Sequence, residues 1–528
     1  MITLRAFGTY LERSRLDYVL FFVFVFAVLT YIQYSPVIGD PDGFYHAKMA
    51  EFLAKGQIVH EMPWLQFTTL AASFTDHHFL YHVLLIPFVI FGKPLLGVKL
   101  ATVFFSSAFF VVFYALLKRL HLAAPLTYTL LLLGTSSFVF RLSLVKANSV
   151  SLIVLMVGIF ALFERRPMLL ALCGAVYVWL YGGWPVIWVA AAVFCITDAV
   201  ISRSGVSRSV RSRPHGARSW WALLAALGGG TVLGIVLNPY WPSNLAFYWQ
   251  QIWQIAILNK GAEVVVGGEW SSLSPKEFGA FFPYQLLAFL PACAMLVVRP
   301  SQATRRSWQL FFLAVVAALF AVKSRRYVEL AAPLLLLSAS SFWRDMFPAG
   351  TLVEWWTRGK IIFARGADQL ILALVAMLLT FIVLPMGFAQ QIIMAHEELS
   401  HGVRLTRYAG ASAWLRGNTP EGSIVFHSDW DDWPMLFFFN DHNRYLVGLD
   451  PTFMYNYSPS LYHRWATLTR DGTDDDPIGF ISKELGSQYV VIEKDHTALQ
   501  KTVSTNVYTH LEYEDSEVWI YKIGTETT

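Results

Sequence analysis

Two carboxylates, Asp40 and Asp42, stand with Tyr45 and His46 in the stretch GDPDGFYHAK at 39–48, directly after the first long apolar run. Carboxylates where a chain leaves a membrane are costly unless water, a cation or a substrate meets them. Read alone, the stretch also fits a solvated loop with a Pro-Asp turn. Glu269 follows two glycines and precedes Trp270 in VVVGGEWSSLSPKEF, a segment with the composition of a lid over a site. Arg325 and Arg326, in KSRRYVEL, fall at the outer end of an apolar run, where positive charge is disfavoured. A phosphate or carboxylate partner accounts for them, as does simple snorkelling to lipid headgroups. The stretch HSDWDDWPM at 427–435 is a dense aromatic and acidic patch.

The elements that carry these residues follow from the apolar pattern. Of 528 residues, 55% are hydrophobic and 16% aromatic, the composition of a polytopic membrane protein. Residues 17–35 are long enough to span a bilayer, and Arg5, Arg13 and Arg15 before them place the N-terminus in the cytoplasm. That run lacks a small-residue cleavage site, so it reads as a retained helix. Residues 79–92 are too short to span and contain His82 and Pro87. Treating them as a surface or re-entrant helix keeps every later basic cluster cytoplasmic.

Further spans are expected near 96–117, 124–140, 149–163, 168–182, 184–201, 220–238, 281–298, 307–322, 326–342 and 368–389, about eleven to thirteen in all. An odd count puts residues 391–528 outside. There QYVVIEK and VWIYKI read as strands of one α/β domain. The expected organisation is a transmembrane domain at 1–390, with large outer loops at 36–95 and 239–280, and an extracytoplasmic α/β domain at 391–528. The segments 36–95, 141–148, 239–280 and 391–528 then face one compartment.

Other chemistries are excluded. HEELSH at 396–401 sets its histidines five apart, about 140° around a helix, so they cannot share a zinc-protease face. DGTDDD at 471–476 lacks the glutamate that ends an EF-hand loop. Cys173, Cys195 and Cys293 lie in apolar runs and suggest neither disulfides nor a thiolate metal site. A net charge of +4, clustered in cytoplasmic loops, gives no reason to expect a nucleic-acid partner.

The order of these features resembles the catalytic subunit of oligosaccharyltransferase, within the GT-C class of membrane glycosyltransferases. In that family a DPWYH-like stretch opens the first outer loop, and Asp42-Gly-Phe-Tyr-His46 repeats its Asp-to-His spacing. The resemblance implies that Asp42 is a metal ligand and orients the acceptor, with Asp40 as an extra acid beside it. It makes Glu269 the counterpart of the mobile-loop glutamate and Arg326 that of the outward arginine, with Arg325 as second choice. The family's WWDYG motif resembles the run from Ser428 to Trp433: Trp430 and Asp431 match, while Asp429, Asp432 and Trp433 replace its first Trp, its Tyr and its Gly. On this resemblance Trp430, Asp431, Asp432 and His46 are substrate-binding candidates.

The second outer loop departs from the family. Asn148 and Val150 stand where its paired metal-binding acids belong, and Lys146 adds a positive charge nearby. An amide oxygen still binds a hard cation but brings no charge, so metal affinity falls. Asn148 and His78 therefore join Asp40 and Asp42 as candidate ligands for Mg²⁺ or Mn²⁺, and Lys146 can neutralise a phosphate directly. The expected function is transfer of a glycan from a polyprenyl phosphate or pyrophosphate donor to an acceptor on the outer face of the cell membrane, with protein asparagine first among acceptors. Two rivals stand beside it: a non-catalytic paralogue that binds lipid-linked glycan, and a polysaccharide transport or export component.

Overall fold

The computed structural model describes residues 14–203, 217–258, 264, 267–298, 300–346 and 384–524. Arg5 and Arg13, most of the basic cluster between 203 and 218, the basic residues after 346 and most of the expected span at 368–389 lie outside the described residues. Packing divides the chain into two compact units: Met1–Ser35, Thr102–Gly234 and Glu269–Ser400 form the first, and Pro36–Ala101, Ile235–Gly268 and His401–Thr528 form the second.

The first unit is helical. Its opening helix, Leu16–Gln33, is apolar all round: Phe21, Val25, Leu29 and Ile32 pack inward while Val19, Leu20, Val23 and Phe24 stay exposed. A helix with an exposed apolar face suits hydrocarbon rather than water. Among the described residues four helices are long and apolar enough to cross a membrane: Leu16–Gln33, Pro94–Arg119, Val186–Arg203 and Arg305–Lys323. Several other expected spans are shorter apolar helices, such as Asn148–Phe163 and Pro167–Leu180.

The span expected at 124–140 is not one straight helix. It is Pro125–Leu133 followed by Ser136–Ser143, bent by 72° at the break. Gly134 and Thr135 end the first helix, and the Gln391 side-chain oxygen accepts from the Ser136 amide at 3.0 Å and its hydroxyl at 2.7 Å. A partly buried donor freed by the break thus keeps a partner. The second piece is what carries Arg141. Helix Phe79–Val89, in the second unit, has only 11 residues, short for a membrane crossing.

The second unit is built on a mixed five-stranded sheet in the order β4-β3-β5-β7-β6. Here β1 is Val37–Ile38 and β2 is Val403–Arg404, a separate antiparallel pair. The larger sheet comprises β3 (Ile424–His427), β4 (Arg444–Tyr445), β5 (Tyr489–Glu493), β6 (Thr509–Glu514) and β7 (Val518–Ile523). β3 runs parallel to β4 and β5, while β7 is antiparallel to β5 and β6. Central β5 reads YVVIE, with its first four residues buried, as a strand covered on both faces requires. Helices Pro459–Asp471 and Thr497–Ser504 supply Leu468, Leu499 and Val503 to the core that holds Phe426, Val490 and Ile492.

Helix Asp42–Ala54 belongs to this second unit and packs against Phe79–Val89 and Trp433–Phe439. Trp433 is fully buried, stacks on Phe437 at 4.7 Å and donates to the Trp64 carbonyl at 3.0 Å. The Trp433 ring also lies 6.0 Å from that of Tyr45, in the first turn of helix Asp42–Ala54.

Candidate active site

The first unit gathers three cationic side chains around one carboxylate. Gly268–Trp270 forms a short 3-10 turn that presents Glu269. Its backbone is tied down: the Ser324 hydroxyl donates to the Glu269 carbonyl at 2.8 Å, and the Arg325 amide to the Ser271 carbonyl at 3.0 Å. Ser274 then caps helix Pro275–Phe281 through a capping box with Glu277, which fixes where the segment ends.

The Glu269 carboxylate accepts from Arg141 at 2.8 Å and from Arg326 at 3.3 Å, and Lys146 lies 3.8 Å away. Arg141 also reaches the buried Glu329 at 3.3 Å, and Glu329 accepts from the Tyr181 hydroxyl at 3.2 Å. Arg326 lies 5.0 Å from the centre of the Trp270 ring, a cation–π contact. Burial works against the charge on Glu269, yet Lys146, Arg326 and Arg141 together hold its carboxyl well below the usual carboxylate range. It is therefore ionised at neutral pH. Arg325, the second-choice arginine, instead pairs with Glu277. Asn148 opens helix Asn148–Phe163, is buried, and donates weakly to the Arg141 carbonyl at 3.4 Å.

Arg141, Glu329 and Tyr181 were not among the residues singled out from the sequence. Their signal was available: a charge embedded in an apolar run, as in FVFRLSLV or VELAAPLL, needs a buried partner. Which partner it finds is a matter of folding.

The second unit holds the acids. Asp42 begins helix Asp42–Ala54, where the partial positive charge of the helix N-terminus favours a carboxylate. Asp40 shapes the turn before it, accepting from the Asp42 amide at 2.9 Å. His46 comes one turn later and is buried. Its Nδ1 is 2.7 Å from His82 Nε2, and His82 Nδ1 is 2.6 Å from the fully buried Asp76 carboxylate. The His78 ring packs edge-on to His46 at 5.3 Å, and its amide donates to Asp76 at 2.9 Å.

The aromatic-acidic patch becomes a 3-10 turn, Trp430–Asp432, after β3. Asp432 is buried and accepts from the Tyr408 hydroxyl at 2.7 Å, the Ser428 hydroxyl at 3.1 Å and the Asp429 amide at 3.0 Å. Its carboxylate shapes the turn. Desolvation first, then Asp429, Asp42, Asp40 and Asp432, push the Asp431 carboxyl up to about 8. Asp40, Asp42 and Asp431 thus share one electrostatic neighbourhood of like charge. Among the described residues, one group of three or more His, Cys, Asp or Glu brings its donor atoms within 4.8 Å of one another: Glu493, Asp495 and His496, where Glu493 is also paired with Arg407.

His427, at the end of β3, positions this turn. Its Nδ1 donates to the Asp429 carbonyl at 2.6 Å, and its Nε2 accepts from the Leu446 and Val447 amides at 3.3 and 3.4 Å. Only neutral imidazole can do both. Burial pushes its pKa down to about 4 from 6.5. The folded value lies below the unfolded one, so its contribution is fully present above pH 6.5 and is lost as pH falls towards 4. The loss should reach roughly 3 kcal/mol. Thermal unfolding of wild type between pH 4 and 7 should show that loss, and His427→Gln should show a flatter profile over the same window. Parallel profiles for the two proteins would refute the assignment.

No protein-family model matches the sequence, and no curated protein matches it. Solved structures do match its fold. The archaeal oligosaccharyltransferase AglB from Archaeoglobus fulgidus, in complex with an inhibitory peptide and a dolichol-phosphate, aligns with a TM-score of 0.62 at 12% identity, over 97% of this chain and 74% of that one. ArnT from Cupriavidus metallidurans, bound to undecaprenyl phosphate, aligns with a TM-score of 0.56 at 15% identity, over 96% of this chain and 98% of that one. The mycobacterial arabinofuranosyltransferase AftD aligns with a TM-score of 0.56 at 13% identity, over 97% of this chain but 40% of that one. This chain shares the helical membrane fold of these GT-C glycosyltransferases.

Proposed function

We propose that the protein is a membrane glycosyltransferase that takes a glycan from a polyprenyl phosphate or pyrophosphate and passes it to an acceptor on the outer face, protein asparagine first among the candidates. The observation that carries this reading is the convergence of Arg141, Lys146 and Arg326 on one point. Three cations directed at a single carboxylate form a strong anion site on a chain with exposed apolar helices. Lipid-linked phosphate meets both features. The fold agrees, since two of the matched glycosyltransferases were solved with a polyprenyl phosphate.

In the proposed reaction the acceptor atom attacks the anomeric carbon, the bond to the phosphate oxygen breaks, and the lipid phosphate leaves with the electron pair. Asp42 orients the acceptor and takes its proton. Arg326 and Lys146 stabilise the charge that grows on the leaving phosphate, in surroundings that exclude much of the water. The oxygen donors of Asp40 and Asp42 suit a hard divalent cation, and the like-charge crowding felt by Asp431 is what a cation would relieve. Mg²⁺ or Mn²⁺ held there would polarise the acceptor and lower the charge of the acid group. Within the turn at 430–432, Trp430 and Asp431 are the acceptor contacts of this reading.

The test is transfer from a lipid-linked donor by the purified full-length protein, with Mn²⁺ and with EDTA. Turnover that requires Mn²⁺ supports a cation at Asp40 and Asp42. Turnover that ignores EDTA assigns the phosphate to the basic cluster alone. Donor binding without turnover, across several donors and acceptors, would overturn the enzymatic reading in favour of a glycan-lipid binding protein.

A further inference from the structure

Glu269 sits where an anionic ligand would bind. Arg141 and Arg326 donate to its two carboxylate oxygens, one each, and Lys146 faces the same oxygen as Arg141. A phosphate would demand the same donors, because guanidinium and ammonium groups recognise carboxylate and phosphate oxygens alike. Both ligands cannot occupy these donors at once. Glu329 is placed differently: it is nearly fully buried, begins helix Val328–Met346, and takes the Tyr181 hydroxyl as well as Arg141. Glu269 lies on a three-residue turn after two glycines and keeps about a quarter of its side-chain surface exposed, so it can leave by local rearrangement while Glu329 cannot.

The charges agree with an exchange. Arg141, Lys146 and Arg326 each face Glu269, so its departure takes one negative charge away from all three. A lipid phosphate is anionic at neutral pH whether it carries the glycan as a diester or has released it, so it returns the lost negative charge.

We propose that Arg141, Lys146 and Arg326 form a phosphate site that Glu269 fills when no donor is bound, and that the lipid phosphate enters by displacing the Glu269 carboxylate. The exchange rests on the glycosyltransferase reading. It adds Arg141 to the phosphate-binding residues and gives Glu269 the role of an internal competitor. Displacement would free Glu269 from all three cations and loosen the turn at 268–270, coupling donor arrival to movement of the segment that carries Trp270.

Equilibrium binding of radiolabelled undecaprenyl phosphate, and separately of inorganic phosphate, to the full-length protein tests this. Glu269→Gln keeps the shape and removes the competing charge, and it should bind the lipid phosphate about tenfold more tightly than wild type. Glu269→Ala should do the same, and Glu277→Gln, which alters the Arg325 pair and the capping box with Ser274 but touches none of the three cations, should leave affinity unchanged. Tighter binding of undecaprenyl phosphate than of inorganic phosphate assigns the site to a lipid-borne group; the reverse order would overturn that assignment. Equal or weaker binding by both Glu269 variants, with thermal midpoints like wild type, would overturn the exchange and leave the glycosyltransferase reading standing. Absence of undecaprenyl phosphate binding in wild type and variants alike would overturn both.

Discussion

Asp42→Ala should lower glycan transfer by a factor of roughly 10²–10⁴, the range over which a positioned general base contributes. Asp42→Asn should fall nearly as far, because it keeps the size of the side chain and loses the charge. The comparison separates chemistry from structure. Asp42 occupies the first position of helix Asp42–Ala54, where an uncharged hydrogen-bonding residue serves almost as well, so the Asn variant should unfold close to wild type. Asp40→Ala should lose less, since its carboxylate already accepts from the Asp42 amide and shapes the turn. Initial rates on a lipid-linked donor, read beside thermal midpoints, decide the matter. A fall of less than about fivefold in Asp42→Asn would remove Asp42 from the reaction.

The second large effect belongs to Arg141. Its guanidinium bridges Glu269 and Glu329, so Arg141→Met takes a cation from both carboxylates and leaves Lys146, Arg326 and Tyr181 in partial compensation. Breaking a buried pair from one side costs about 3–5 kcal/mol, and the remaining cations should hold the loss towards the lower end. The variant should therefore melt measurably earlier. On the proposed reading it should also bind undecaprenyl phosphate at least tenfold more weakly, through loss of a charge-assisted contact. Arg141→Lys should recover little, because one ammonium cannot extend a planar fork to two carboxylates. Wild-type stability in Arg141→Met, measured by thermal unfolding in detergent, would mean that the cluster is solvated and exerts little hold on the fold.

The sequence by itself determined the class of molecule. Long apolar runs with basic flanks read as helices suited to hydrocarbon, and the strands Tyr489–Glu493 and Val518–Ile523 were readable from β-branched and aromatic content. The polar side chains in GDPDGFYH, GGEW and SRRY also stood out as candidates, because polar groups beside apolar runs are conspicuous. What the tertiary structure decided was partnership. Arg141 is 128 residues from Glu269 and 188 from Glu329 along the chain, and no local pattern joins them. Asp76, His82 and His46 likewise form one buried chain from two helices and a turn.

Asp432 shows the limit from the other side. Its place in an aromatic-acidic motif suggested a ligand contact, whereas its burial and its bonds to Tyr408 and Ser428 make it the core of a turn. The break after Leu133 was equally invisible, since an apolar run reports that a segment avoids water and not that it is straight. Hydrophobicity is non-directional and reads from composition, whereas ion pairs and hydrogen bonds are directional and exist only once distant segments have been packed together.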